Sequence, residues 1–284
     1  MTTQAPAAAP ASGGLRDLRF VSLQLRYEQL SFWLNPVGAI FTIGFSMLFL
    51  VMLGTTVGKQ HVTFLRNITL VQYYVPAFVA YGVMAACFTI LAISLVNRRE
   101  MGLLKRLRLS PLPAWALLSA IFLSTLIVAL IQVVLLLAVG RLAFGVHLPG
   151  NIAAFAVTLL IGVLSFTALG VAMSTFIPNA DSSGPLISTV FFVLLFLSGF
   201  WFPIQSGTTL ANVAAWFPVR HFITAVFATF STHGDAWAWP DLRVLAIWAA
   251  GGFIVAVWRF RWAPRAGARG GGRRVVRGRP GGSV

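Results

Sequence analysis

The sequence predicts an all-α integral membrane protein. The expected fold has six transmembrane helices, an amphipathic interfacial helix before the first, and a segment dipping into the outer leaflet after the fifth. Three observations carry this. Of 284 residues, 58% are hydrophobic and 10% charged, with mean hydropathy +0.86; a soluble domain carries about 25% charged residues. Six apolar stretches approach the roughly 20 residues that a helix needs to cross about 30 Å of hydrocarbon. The basic residues gather on one side of the topology those stretches define.

Residues 1–14 (MTTQAPAAAPASGG) lack an apolar core behind a basic start, so they read as a disordered lead-in and not as a cleaved signal. Over residues 15–34, Phe20, Leu23, Tyr27, Leu30 and Leu34 recur at helical spacing, with Arg16, Arg19, Arg26 and Glu28 mostly elsewhere. That pattern predicts a helix lying in the membrane interface. The transmembrane unit then runs over 35–262, with spans at 36–53, 73–96, 114–139, 152–177, 185–204 and 242–258. Pro76 lies just inside the second and is expected to kink it. The stretch 210–230 is interrupted by Pro218, Arg220 and His221, and reads as a segment dipping into the outer leaflet. The tail, 263–284, mixes Arg and Gly. Directly after a span this favours anionic lipid headgroups over a nucleic-acid partner.

An even number of spans puts both ends on one side. Sixteen of the 21 Lys and Arg then share that side, and Lys59, Arg66, Arg141, Arg220 and Arg243 lie opposite. The asymmetry predicts both ends in the cytoplasm. Trp33, Tyr73, Tyr74, Trp115, Trp201, Trp239 and Trp258 sit near the proposed span ends, where aromatic rings favour the headgroup level.

What is missing narrows the function. No charged residue falls in the middle of a span; such residues usually mark ion or proton paths. Gln132 is the deepest polar side chain and reads as a helix–helix contact. A phosphate-binding loop needs Gly-Lys-Ser/Thr, whereas Lys59 precedes Gln and Lys105 precedes Arg. His61, His147, His221 and His233 are widely spaced, and Cys87 is the single cysteine. No catalytic residue, metal or cofactor is expected. An intramembrane lipid-modifying enzyme would need carboxylates converging at one depth, and Asp181, Asp235 and Asp241 are scattered in sequence.

The connection between the second and third spans, 97–113, is the most polar. It carries five cations and Glu100, an apolar strip of Leu103, Leu104, Leu107 and Met101, and Pro111 and Pro113 as a stop. An amphipathic helix here suits docking to another protein.

Four segments resemble a known family: Phe32-Trp-Leu-Asn-Pro36, Arg99-Glu-Met-Gly-Leu-Leu-Lys-Arg-Leu-Arg-Leu-Ser-Pro-Leu-Pro113, Leu197-Ser-Gly-Phe-Trp-Phe-Pro-Ile204 and Trp216-Phe-Pro-Val-Arg-His-Phe222. Together they resemble the membrane subunit of ABC-2 type transporters, in particular bacterial permeases of the daunorubicin-resistance exporter type. The second is similar to the pattern Arg-Glu-x-Gly-Thr-Leu-Lys-Arg-Leu-Arg-x-(Ser/Thr)-Pro-Leu, with Leu103 in place of the usual Thr. The likeness spans residues 15–262.

The resemblance implies a permease of the type V exporter fold in a bacterial plasma membrane, without its own ATPase and with short re-entrant outer-leaflet helices after Pro203, the end of the fifth span. Two copies, identical or closely related, would pair with two cytoplasmic ATP-binding subunits. Arg99, Glu100, Leu103, Leu104, Lys105, Arg106 and Leu107 would form the ATPase-coupling interface, together with the flat N-terminal helix. Phe191, Phe196, Phe200, Trp201, Phe202 and Pro203 are candidates for a translocation path or outer gate, with Phe192 beside them; helix packing is the competing reading for these aromatics. The implied cargo is hydrophobic or amphiphilic, such as a drug, natural product or lipid, moved outward. Relatives of this fold that export polysaccharide or lipid-linked glycans keep a second cargo class open.

Overall fold

A computed structural model describes residues 14–58, 60–62, 68–102, 114–201, 207–231 and 236–259. Helix α1 is Gly14–Trp33. Helix α2 runs over Pro36–Thr56. Asn35 caps it, its Oδ1 accepting from Gly38 N at 3.2 Å, and Pro36 takes the first turn, where no N–H is needed. One turn of α2, Ile40–Gly44, is π-helical. A two-residue antiparallel pair, β1 (His61–Val62) and β2 (Ile68–Thr69), leads into α3.

Helix α3, Leu70–Glu100, has 31 residues and a second π turn at Ala85–Ile90. Pro76 lies inside it, and the helix continues through. At 1.5 Å per residue α3 is about 46 Å long, well beyond a hydrocarbon layer of about 30 Å. A helix of that length overhangs such a layer by several turns or crosses it tilted. Helix α4 is Ala114–Phe144 and α5 is Ile152–Phe176, the latter capped by Asn151. Helix α6 is Ala180–Phe196, capped by Asn179. Short α7 (Thr209–Ala214) and α8 (Pro218–Phe230) precede α9, Trp239–Arg259.

Five of these helices are long and apolar enough to cross a membrane: α2, α3, α4 from Ser119, α5 and α9. Helix α6, with 17 residues, is at the lower limit. It starts five residues before the expected fifth span and gives way after Phe196 to a turn at Leu197–Gly199, where Gly199 has φ 81. The expected broken segment resolves into α7 and α8, separated at 215–217, because Pro218 must start a new helix. In the 97–113 connection, Gly102 has φ 72 and ends α3, so Met101 belongs to an exposed turn and not to a following helix. The tail and residues 103–113 lie outside the described residues.

Helix α3 is the axis of the core. Val75, Phe78, Val79, Val83, Cys87 and Val96 are fully buried. Helix α5 meets it backbone to backbone: a Cβ on Gly170 would lie 2.6 Å from the carbonyl oxygen of Cys87. Helix α9 buries Leu242, Leu245, Ala249, Gly252 and Ala256, spaced 3, 4, 3, 4. Its opposite face exposes Ile247, Phe253, Ile254 and Val257. Apolar inside and apolar outside is the pattern of a helix whose solvent is lipid.

Candidate functional site

The expected coupling residues begin at the end of α3, where three consecutive charged side chains hold three other helices. Arg98 Nη1 donates to Glu28 Oε1 of α1 at 2.6 Å, with both side chains mostly buried. Gln24 Nε2 donates to the same oxygen at 2.9 Å. Gln29 extends the hold on α1, reaching Ser124 Oγ of α4 at 3.0 Å. A hollow of about 130 Å³ lies beside these contacts, between α1, α2, α3 and α4; Asn35, Ser94, Arg98 and Ser124 line it.

Arg99 turns inward. It is 6% exposed, and its guanidinium donates to Ser174 O at 3.1 Å and Ile177 O at 2.5 Å. These carbonyls close the C-terminus of α5, where the helix dipole is negative. Glu100 is exposed, and its Oε2 accepts from the backbone N–H of Ala180, the first residue of α6. There the dipole is positive. The cation therefore sits on a helix end and the anion on a helix start, the favourable sense in both cases. Hydrogen bonds involving a charged group contribute about 1.5–3 kcal/mol each. Leu103, Leu104, Lys105, Arg106 and Leu107 lie outside the described residues.

The candidate path residues divide. Phe191 and Phe200 are 4% and 2% exposed, packed in an aromatic cluster. Phe200 meets Phe78 edge-on at 5.2 Å and Tyr81 at 5.5 Å, and Phe191 meets Tyr81 at 5.6 Å. Trp201 joins through Phe200 at 4.9 Å. Phe192 and Phe196 face outward, 53% and 68% exposed. Phe202 and Pro203 lie outside the described residues. Tyr73 of α3 donates its hydroxyl to Gly199 O at 2.5 Å, fastening the turn that carries Phe200.

Gln132 acts between helices, as its depth suggested. Its Nε2 donates to Thr42 O at 3.1 Å and Ser46 Oγ at 2.8 Å, both on α2. Its Oε1 is buried with no partner among the described residues.

At the opposite end, His221 and Asp241 meet, with Nδ1 and Oδ1 2.6 Å apart. His221 Nε2 lies 2.8 Å from Ala215 O, Arg220 donates to Ala211 O, and Trp248 Nε1 donates to Trp216 O at 3.2 Å. Ala211 lies within α7, and Ala215 and Trp216 follow directly after it. The sequence offered these residues only as scattered polar groups, since α7, α8 and α9 converge through tertiary packing. Among the described residues no cluster of three metal-ligating side chains occurs.

The comparisons with known proteins bear on this arrangement. Residues 55–258 match the family model described as ABC-2 family transporter protein. The chain belongs to the ABC-2 transporter family. Among curated relatives, the probable multidrug ABC transporter permease YbhR of Escherichia coli (strain K12) is 26% identical over 157 residues, 55% of this chain and 43% of that protein. The putative transport permease YvfS of Bacillus subtilis (strain 168) is 24% identical over 176 residues, 61% of this chain and 70% of that protein. The chain thus matches less than half the length of the E. coli relative. The ABC-2 match takes in α3 to α9 nearly whole, hence Tyr73, Arg99 and Glu100, and leaves out α1 with Glu28. An ABC-2 chain with five long apolar helices is a multi-pass membrane protein.

Proposed function

We propose that this chain is the permease subunit of an ATP-driven exporter that moves a hydrophobic or amphiphilic cargo out of the cytoplasm. ATP is hydrolysed on a separate cytoplasmic subunit, and a second permease copy, identical or closely related, completes the path. The observation that carries this is the end of α3. In a chain of the ABC-2 family, Arg98, Arg99 and Glu100 each fasten a different helix immediately before the 103–113 connection. A push on that connection reaches α1, α5 and α6 without slack. The name of the E. coli relative, a multidrug permease, supports an amphiphilic cargo. The charge asymmetry supports placing α1, the end of α3 and the tail in the cytoplasm, and the bacterial relatives support a bacterial plasma membrane.

The chain divides accordingly into a lead-in (1–14), an interfacial helix (15–34), a transmembrane unit (35–262) and a basic tail (263–284) that meets anionic lipid. Helix α6 serves as the fifth of six spans, and α7 with α8 dips into the outer leaflet. Coupling follows from linkage: each permease conformation favours one nucleotide state of the partner, so hydrolysis shifts the permease between them.

The test is reconstitution in lipid vesicles with the cognate ATPase. Cargo-stimulated hydrolysis and ATP-dependent export are expected. Uphill movement by the permease alone, or hydrolysis indifferent to the permease, would overturn the reading.

A further inference from the structure

The drive must also reach the far side of the membrane, and the described contacts single out one helix pair for that. Helices α3 and α6 run antiparallel and are joined at both ends. At one end Glu100 accepts from Ala180 N, while Arg99 holds Ile177 O in the link that leads into α6. At the other end Tyr73 donates to Gly199 O. Between the pins, Phe191 and Phe200 pack on Tyr81 and Phe78 of α3. Between Ala180 and Gly199 the backbone ladder is interrupted at Pro185, through which the helix continues, and at the helix end after Phe196 with its tight turn, which Tyr73 holds.

We propose that α3 and α6 form one rigid strut, with Arg99, Glu100 and Tyr73 as its positioning residues. The strut carries displacement from the 101–113 connection to the turn at 197–201. Arg99 and Glu100 thereby act inside the permease, through the 177–179 link, and the partner surface falls to the residues after Gly102. The strut follows from the contacts above; its role in transport rests on the proposed coupling to an ATPase.

Both ends of the strut are tested by substitution. Tyr73→Phe removes one hydroxyl and keeps the ring, which packs on Phe227 at 4.8 Å. Glu100→Gln keeps an oxygen that accepts from Ala180 N, and Glu100→Ala removes it. Spin labels go at introduced cysteines replacing Met101 and Val193, which are exposed; the buried native Cys87 stays in place. Distances are read on the full chain in lipid nanodiscs, first alone and then with the ATPase, with and without trapped nucleotide.

One narrow separation is expected in all states of the otherwise unaltered chain and in Glu100→Gln. A broadened or second separation is expected in Tyr73→Phe and Glu100→Ala. In vesicles, those two variants should export several-fold less cargo per ATP hydrolysed, with hydrolysis itself retained. A broad separation without either substitution, or variants as narrow as the unsubstituted pair, would overturn the strut. If the distances behave as expected but the permease never alters ATP hydrolysis, the strut stands and the coupling reading falls.

Discussion

The side-chain amide of Gln132 lies directly on Gly82: a Cβ at that glycine would sit 2.1 Å from Nε2 and 2.4 Å from Cδ. The missing side chain of α3 is what lets α4 deliver an amide to α2, where it meets Thr42 O in the π-helical turn and Ser46 Oγ just beyond it. Three helices are thus registered by one polar side chain in an apolar bundle. Gly82→Ala is expected to destabilise the fold by about 1–3 kcal/mol, the usual cost of overpacking. Adding Gln132→Ala should recover part of the loss. Midpoints of thermal unfolding in detergent, for the two single variants and the double, check this.

Removing the Gln132 amide without crowding tests the hydrogen bonds themselves. Gln132→Leu keeps the bulk and deletes both contacts to α2. Interhelical hydrogen bonds in membranes contribute about 0.6–2 kcal/mol, so a loss in that range is expected. A larger loss would mean that the turn at Ile40–Gly44 refolds with it, which amide exchange along α2 would reveal.

The pair Glu28–Arg98 joins α1 to α3, with Glu28 8% exposed. Breaking a buried pair strands a charge and costs more than the pair contributes. Glu28→Gln and Arg98→Gln should each lower stability, and the double variant should fall well short of their sum. The exchanged pair, Glu28→Arg with Arg98→Glu, should recover part of the fold. A double-mutant cycle on thermal unfolding measures the coupling.

Helix α7 and the turn that follows it are held through backbone carbonyls by Arg220, His221 and Trp248. Asp241→Asn removes the carboxylate that orients His221. Amide exchange over Thr209–Ala214 should then quicken several-fold, with α3 unchanged. Equal exchange in both proteins would assign α7's anchoring to packing alone.

Close backbone contact at Gly170 gives a severity series. A methyl there meets the carbonyl oxygens of Cys87 and Phe88 at 2.6 and 3.1 Å, and backbone cannot swing away as a side chain can. Gly170→Ala should reduce folded yield and Gly170→Val should abolish it, read as monodisperse material on size exclusion.

Much of the fold was legible because a bilayer imposes one length and one polarity on every span. The Asn-Pro at 35–36 announced a helix start, and the structure shows Asn35 as cap and Pro36 in the first turn. Pro218 divided the outer segment in the sequence and in the fold. The inward turn of Arg99 was not legible. Its acceptors lie 75 and 78 residues away, and they are backbone carbonyls, which carry no residue signature. The split between Phe191 and Phe192 follows from consecutive residues lying about 100° apart on a helix. Ile187, Phe191 and Leu195 mark the buried stripe of α6, and that spacing was available in the sequence. Position 132 drew attention for its polarity, while Gly82, its necessary counterpart, resembled any other glycine in an apolar run.

The π turn at Ala85–Ile90 sets an angular phase. One residue accommodated in a wider turn rotates everything beyond it by about 100° relative to an unbroken α-helix. Tyr73 lies before this turn and Arg98, Arg99 and Glu100 after it. Deleting a single residue there would leave a more regular helix, one residue shorter, with every anchoring group still present, yet aimed past its acceptor. The irregularity works as an indexing notch, matching the orientation of one end of α3 to that of the other.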